Sequence, residues 1–504
     1  MAKSSLVRSV EPPDGEFSRA ALERVTGSAE IRGNAVSLQF DGPSTFSAWL
    51  EAIEAAQRFV HFENYVLRDD RVGRKFREVL VRKARDGVQV RVLYDWVGCW
   101  ATPRKYWKPF RAAGVEVRAF NRPSVRDPLG VLQRDHRKLV CVDGTIAFVG
   151  GFCIGIEWAG TRDEPPWRDT GLEVRGPAAA QAALAFERIW SEEGDRVPEE
   201  LADGPETAER VGDCSVWLIE GEPWRARVQR TLQFVAASVR QRLWITDPYF
   251  VAPRSLSDAL AAAARQGVDV RVLVPATNNW PLVGSLSRGG YRPLLHAGVR
   301  LFEWQGPMIH AKTSVADGMW CRVGSSNLNS ASLLGNWEID VGVMDASLAG
   351  QLEGLFMADL ASSVEIVLPG SQSVHTSESV GALLPHDSQS PLDPEGTLAS
   401  RLEAMIAAGT SVAPWHMAQL VRAGTTFGGA LAGRRTLGRE DRTVLGTVSV
   451  IVLAGAVLTA LFPVVIGWAL AVGLGWIGVV MAVRALAHRR RARIETLPEP
   501  GDTP

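Results

Sequence analysis

The sequence has few cysteines and no strong excess of either charge, and both absences exclude classes of protein. Its five cysteines are spread over 504 residues without a CxxC pair, so neither a disulfide framework nor a zinc site is indicated. Lys and Arg number 55 against 56 Asp and Glu, which gives a net charge of −1. Proteins that wrap nucleic acid usually have a large basic excess, so this balance argues against a nucleic-acid partner.

A continuous apolar core is also missing from the first 28 positions, which contain Glu11, Asp14, Glu16 and Glu23 and therefore do not resemble a secretory signal. Charged residues, in contrast, are missing from 443–483, a run about twice the ~20 residues that one membrane span needs. Pro463 lies near its middle, where the chain can turn back, and arginine clusters flank both ends. These features predict a transmembrane helical hairpin in the cell membrane, with both termini and the catalytic part in the cytoplasm. The alternative is a helical hairpin buried in a soluble core.

An internal repeat is the strongest organisational feature of the chain. Arg85–Leu93 reappears as Arg265–Leu273, about 180 residues later. Each copy is predicted as helix, strand, helix, strand, with Gly87 or Gly267 ending the second helix. This pattern indicates βαβ units and mixed sheets of an α/β protein, arranged as two pseudo-symmetric lobes that face each other.

Composition and the repeat together predict the domain order. The chain is divided into an N-terminal segment (1–44), a first lobe (45–200), a second lobe (210–369), a Ser- and Pro-rich linker (370–400), a juxtamembrane helical segment (401–442), two transmembrane helices (443–484) and a basic, then acidic tail (485–504). Two positions stay open for the juxtamembrane segment: on the membrane surface or against the catalytic lobe.

Each lobe contains the pattern His-x-Lys-(x)4-Asp followed by Gly. Alternate residues of a strand share a face, so each His and Lys are expected to project into one cleft. An imidazole can attack phosphorus or protonate a leaving alkoxide, and a lysine stabilises charge on phosphoryl oxygens. The predicted residues are His136, Lys138 and Asp143 in the first copy and His310, Lys312 and Asp317 in the second. The two aspartates can also be simple turn formers.

Small residues follow each motif. Gly150 and Gly151 end the first hairpin, and Ser325 and Asn327 occupy the corresponding part of the second. Small side chains let backbone N–H groups approach an anion closely. Gly150, Gly151 and Ser325 are therefore predicted to bind the phosphate of the substrate, and Asn327 is included because its side-chain amide can donate to the same group.

The sequence resembles the phospholipase D superfamily and, within it, the bacterial cardiolipin synthases. The resemblance covers 48–368 and includes both motifs, Pro166–Thr170, Asp247–Phe250 and Asn336–Glu338. One departure is Cys153, where the family usually carries Asn. A second is the C-terminal position of the apolar run, since the known synthases commonly have membrane segments at the N-terminus.

The resemblance implies a two-step exchange without metal or cofactor. His136 is the expected nucleophile, which forms a phosphohistidine, and His310 is the expected acid and base. Acids downstream of each motif orient the imidazoles in this family, which favours Asp169 and Glu338 over the motif aspartates. The implied substrates are anionic membrane phospholipids, phosphatidylglycerol above all, with release of glycerol and no obligate protein partner.

Three other functions remain open at this point. A phospholipase D would use the same residues but release phosphatidic acid, because water rather than an alcohol resolves the intermediate. A phosphodiesterase acting on nucleic acid would share the motifs but need a basic groove. A membrane scaffold with an inactive site is the non-enzymatic alternative.

Overall fold

The computed structural model describes residues 17–122, 133–198, 204–279 and 281–368. The predicted linker, juxtamembrane segment, transmembrane hairpin and tail lie outside these residues, so they stay predictions. None of the helices within the described ranges is both long and apolar enough to cross a membrane.

Fifteen strands are formed by the described residues. In chain order they are β1 (Ile31–Gln39), β2 (Phe59–Asn64), β3 (Gln89–Asp95), β4 (Glu116–Phe120), β5 (Lys138–Val142), β6 (Ile146–Gly150), β7 (Gly171–Arg175), β8 (Cys214–Gly221), β9 (Arg242–Thr246), β10 (Asp269–Pro275), β11 (Arg300–Trp304), β12 (Thr313–Ala316), β13 (Trp320–Gly324), β14 (Glu338–Met344) and β15 (Ser363–Ile366).

Eleven α-helices occur in the same part of the chain, together with a 3-10 turn at Arg104–Trp107. The helices are α1 (Arg19–Thr26), α2 (Gly42–Ala55), α3 (Arg71–Arg85), α4 (Lys108–Ala112), α5 (Ile156–Ala159), α6 (Pro177–Glu192), α7 (Arg227–Ser238), α8 (Arg254–Arg265), α9 (Pro281–His296), α10 (Ser330–Gly335) and α11 (Ala346–Ala361).

The strand order shows the predicted duplication directly. The first lobe reads β1-β7-β6-β5-β2-β3-β4 and the second reads β8-β14-β13-β12-β9-β10-β11, with β15 added at its edge. Strands β2, β3 and β4 pair in parallel and the others antiparallel, and β9, β10 and β11 repeat this arrangement. Antiparallel pairing of β1 with β8 joins the two halves into one sheet. The mixed α/β architecture is confirmed.

Strand β1 lies outside the predicted first lobe. Ile31–Gln39 falls within the predicted N-terminal segment (1–44), whereas the structure pairs this strand with β7 and β8 at the centre of the sheet. Its partners lie more than 130 residues further along the chain, so no local pattern marks it as central. The remaining domain limits stay predictions.

The core explains why the strands are so apolar. Along β5, Leu139 and Cys141 face a core shared by both lobes, while Val140 and Val142 face a core private to the first lobe. The shared core also contains Val323 and side chains of α6 and α11. Because side chains alternate along a strand, a strand buried on both faces must be apolar at every position.

The predicted histidine motifs lie at one end of this sheet. Strands β2 and β9 finish there, and their antiparallel partners β5 and β12 begin there. We call this end, at which Asn64 pairs with Lys138 and Thr246 with Thr313, the cleft end of the sheet.

Candidate active site

The two histidines enter the site at equivalent points of the two lobes. His136 precedes β5 and His310 precedes β12, and their exposed fractions are only 8% and 5%. Each motif lysine turns back over its own histidine. The Nζ atom of Lys138 donates to the carbonyl oxygen of His136 at 2.6 Å, and Lys312 donates in the same way to His310.

Each imidazole is bound by a carboxylate from the other lobe. Nδ1 of His136 lies 2.9 Å from Oε2 of Glu338, and Nδ1 of His310 lies 2.7 Å from Oδ2 of Asp169. The family pattern predicted these two acids but did not say which histidine each would serve. In the structure the acid of one lobe orients the histidine of the other.

Backbone hydrogen bonds hold these crossed pairs in place. His136 N donates to Trp337 O at 2.9 Å, one residue before Glu338. On the other side, His310 N donates to Arg168 O at 2.6 Å, one residue before Asp169. Each histidine and its carboxylate are therefore fixed to one another by main chain as well as by side chain, and neither lobe holds a complete site alone.

The hydrogen-bond pattern fixes the tautomer of both rings. An ionised carboxylate only accepts hydrogen bonds, so Nδ1 of each imidazole carries the proton and Nε2 keeps its lone pair. Burial lowers the pKa of His136 below its ordinary value, and burial together with Lys312 lowers that of His310 to about 3. Both imidazoles are thus neutral in the free protein.

The pKa values of the two carboxylates and of one lysine are lowered as well. Burial raises the pKa of Asp169, but the attraction of His310 and Lys312 outweighs it and brings the value to about 2. Glu338 follows the same pattern beside His136, with a pKa below its ordinary value. Burial lowers the pKa of Lys312 to about 8. The site therefore contains two ionised acids, two neutral imidazoles and a lysine that titrates unusually early.

Serines and an amide complete the support of Glu338. Ser325 donates to its Oε2 at 2.6 Å, Asn336 donates to its Oε1 at 3.1 Å, and Ser332 also donates to Oε1. Asp169 receives a comparable bond at 2.8 Å from the indole of Trp158. Sequence reasoning missed Ser332 and Trp158, because nothing along the chain marks them as partners of an acid.

Aromatic rings surround the imidazoles. Tyr65 meets His136 edge to face at a centroid distance of 4.7 Å. Trp158, Trp167 and Tyr249 lie around His310 at 5.4, 5.9 and 6.0 Å. These rings exclude water from the histidines, which agrees with the burial effect on their pKa values.

The motif aspartates lie away from the histidines. Asp143 accepts hydrogen bonds from the N–H groups of Gln57, Arg58 and Phe59 at 2.8 Å each. Asp317 accepts from three consecutive N–H groups at the start of β9, those of residues 240–242, in the same way, at 2.8 to 2.9 Å. Both occupy hairpin turns with positive φ, 55° and 50°, at the end of the sheet opposite the cleft. The geometry supports the turn-forming alternative for this pair.

The four residues predicted to bind phosphate have other contacts. The N–H of Gly151 donates to Thr170 O at 3.0 Å, and a Cβ at this position would lie 2.0 Å from Oδ1 of Asp169. A Cβ at Gly150 would lie 2.4 Å from Cα of Gly171. Both glycines thus permit close packing of the Asp169 segment. Ser325 donates to Glu338, and the buried Oδ1 of Asn327 has no hydrogen-bond partner among the residues that the structure describes.

A duplicated α/β fold that brings two buried His-Lys pairs into one cleft defines an enzyme of the phospholipase D type. The family model described as "Cardiolipin synthase, PLD-like domain" matches residues 49–190 and 234–360. The chain therefore belongs to the cardiolipin synthases of the phospholipase D superfamily, as the motifs predicted.

Individual relatives agree with this assignment. Cardiolipin synthase A of Pseudomonas aeruginosa (strain LESB58) is 34% identical over 365 residues, which cover 72% of this chain and 74% of that protein. Cardiolipin synthase of Geobacillus sp. (strain WCH70) is 35% identical over 389 residues, which cover 74% and 76%. The crystal structure of phosphatidylserine synthase from Haemophilus influenzae Rd KW20 superimposes with a TM-score of 0.55 at 14% identity, over 69% of this chain and 91% of that one. This last likeness concerns the fold alone.

Proposed function

We propose that the protein transfers a phosphatidyl group from one anionic phospholipid to the hydroxyl group of another, as in cardiolipin synthesis from two phosphatidylglycerols. The observation that carries this proposal is the crossed pairing of His136 with Glu338 and of His310 with Asp169. Family membership supports a lipid substrate, since the relatives are cardiolipin synthases.

In the first step Nε2 of His136 attacks the phosphorus of the donor lipid. A P–N bond forms, the P–O bond to glycerol breaks, and His310 gives its proton to the departing alkoxide. Glu338 stabilises the positive charge that His136 gains. The anionic phosphodiester raises the pKa of His310 on binding, because an adjacent negative charge favours the imidazolium form.

In the second step the bond changes run in reverse with a new alcohol. His310 removes the proton from a hydroxyl group of the acceptor lipid, whose oxygen attacks phosphorus while the P–N bond breaks. Lys138 and Lys312 are proposed to balance the charge on the phosphoryl oxygens in both steps. No metal or cofactor is needed for this sequence, and that expectation stays a prediction.

Location at a membrane belongs to the same proposal. Phospholipid substrates reside in a bilayer, and the uncharged run at 443–483 would hold the cleft close to it. The orientation with both termini in the cytoplasm rests on the flanking arginines and stays a prediction.

The test follows the fate of labelled phosphatidylglycerol in membranes that contain the full-length protein. Cardiolipin with an equal amount of free glycerol is the expected result. Phosphatidic acid as the sole product would indicate hydrolysis instead, and no lipid product at all would refute the proposal.

Single variants provide the controls for this experiment. His136→Ala and His310→Ala are each expected to abolish product formation. Val211→Ala is the matched control and should leave it unchanged, because Val211 is exposed and its backbone N–H donates to Gly33 O at the end of the sheet opposite the cleft.

A further inference from the structure

Two exposed tryptophans stand at the cleft end of the sheet. Among the residues that the structure describes, Trp100 and Trp224 have the highest exposed fractions of any large hydrophobic side chain, 75% and 79%. Most of the other large aromatic side chains in the described part of the chain are buried in the cores. Indole rings are costly to expose fully to water, but they are favoured at the boundary between lipid and water.

Trp100 is coupled to the surroundings of His136 through Asp95. Its loop directly follows β3, and Oδ1 of Asp95 accepts from Gly98 N in this loop at 2.8 Å. The other oxygen, Oδ2, accepts from Asp135 N at 3.0 Å, one residue before His136. A single buried carboxylate thus fixes both the exposed loop and the motif.

Trp224 is coupled to the same histidine from the other lobe. The backbone N–H of Trp224 donates at 2.8 Å to the backbone carbonyl oxygen of Leu334 in α10. That helix contains Ser332, which donates to Glu338, the acid bound to His136. Each indole therefore stands on a loop that supports the His136–Glu338 pair, one on either lobe.

The charge beside both indoles indicates the nature of the partner. Arg104 and Lys105 are exposed just after the Trp100 loop. Arg225 follows Trp224 directly and is 64% exposed in its side chain, with Glu222 at 3.4 Å. Exposed cations next to indole rings match a surface of anionic headgroups over an apolar layer.

We propose that Trp100 and Trp224 insert into the headgroup layer of an anionic bilayer and place the His136 side of the cleft against it. This inference rests on the proposed function for the identity of the substrate, but its geometry is independent of catalysis. It adds a second contact with the membrane, at the mouth of the cleft itself, to the one expected at 443–484.

Fluorescence quenching tests the insertion without any reaction. The full-length protein is labelled with an environment-sensitive fluorophore at Trp100→Cys, Trp224→Cys or Val211→Cys, and the unsubstituted protein supplies the background of the native cysteines. Each protein is reconstituted in phosphatidylcholine vesicles that contain about 30 mol% phosphatidylglycerol. The vesicles also contain a lipid with a quencher attached near the headgroup end of its acyl chain. Strong quenching at positions 100 and 224 but not at 211 is expected. Equal quenching at all three positions would overturn the proposal. Absence of quenching at positions 100 and 224 would also overturn it, and this is the result expected if the two indoles bind a protein partner instead.

Activity separates this inference from the proposed function. The double variant Trp100→Ala, Trp224→Ala should lose about tenfold or more of its turnover on lipid in vesicles, because the apolar contact with the bilayer is removed. Its turnover of a short-chain, water-soluble phosphatidylglycerol should match that of the parent protein. Equal loss on both substrates would contradict membrane docking. If the parent protein acted on neither substrate, the proposed function would fail while the quenching result stood.

Discussion

Nδ1 of His136 lies 2.9 Å from Oε2 of Glu338, a residue 202 positions further along the chain and in the other lobe. The second histidine repeats this relationship with Asp169. Each lobe supplies the histidine of one pair and the carboxylate of the other pair. A single copy of the fold would therefore contain no oriented imidazole. The duplication is thus a requirement of the proposed chemistry.

The crossed pairs predict different effects of their two acids. Asp169→Asn should slow the release of glycerol by about 10²-fold or more, because His310 can no longer act as an efficient acid. With a p-nitrophenyl ester as the leaving group, which needs no protonation, the first step should recover in this variant. Glu338→Gln should slow the first step with both leaving groups, because it impairs the nucleophile.

Rapid-quench measurement of the first turnover gives the required rates. The opposite pattern, with rescue of Glu338→Gln and not of Asp169→Asn, would show that His310 is the nucleophile. Trapping of a phosphorylated histidine, mapped to residue 136 or 310, provides an independent answer.

The motif aspartates are predicted to matter for stability rather than for chemistry. Asp143→Asn and Asp317→Asn should each lower the free energy of unfolding by about 1.5–3 kcal/mol, since a charge that accepts three N–H bonds is removed. Asn tolerates the positive φ of these turns. The turnover number of the folded protein should stay within about threefold of the parent value. A loss of turnover as large as that expected for His136→Ala would show that these acids have a catalytic role.

The pH dependence of kcat/KM should show an alkaline limb near pH 8. Burial lowers the pKa of Lys312 from 10.5 to about 8, so the ammonium group loses its proton as the pH rises through that value. Its attraction for the phosphoryl oxygens is then lost, and the rate constant should fall about tenfold per pH unit. In Lys312→Arg the residual activity should have no such limb, because guanidinium stays charged. A profile that is flat to pH 10 in the parent protein would contradict this assignment.

Loss of the buried arginine inside the first motif, between His136 and Lys138, is predicted to destabilise the protein. Arg137 has no exposed surface, and its Nε lies 3.2 Å from Oε1 of Glu63, which is equally buried. Removal of one partner of a buried ion pair costs about 3–5 kcal/mol, so Arg137→Met should lower the free energy of unfolding by that amount. Addition of Glu63→Gln should recover most of the loss, as measured by urea unfolding. If the double variant were no more stable than Arg137→Met, the pairing would not be the cause.

Much of this architecture could be predicted from the sequence, because local patterns specify it. The helix that Gly87 is predicted to end is α3, Arg71–Arg85, and the strand predicted after Gly267 is β10, Asp269–Pro275. The reason is physical: apolar alternation and a glycine after the last helical turn act within a few residues. The His-Lys spacing likewise specified which side chains share a face.

The sequence by itself determined the duplication and the strand and helix order of each lobe. It also predicted the two histidines, the two lysines and, through the family resemblance, the two orienting acids. Only the tertiary structure decided which acid serves which histidine, that β1 joins the two halves, and that Gly151 makes room for Asp169 instead of offering its N–H to phosphate. These features depend on contacts between residues far apart in the chain. Such contacts are specified by how two folded surfaces fit together, and no local spacing encodes that fit.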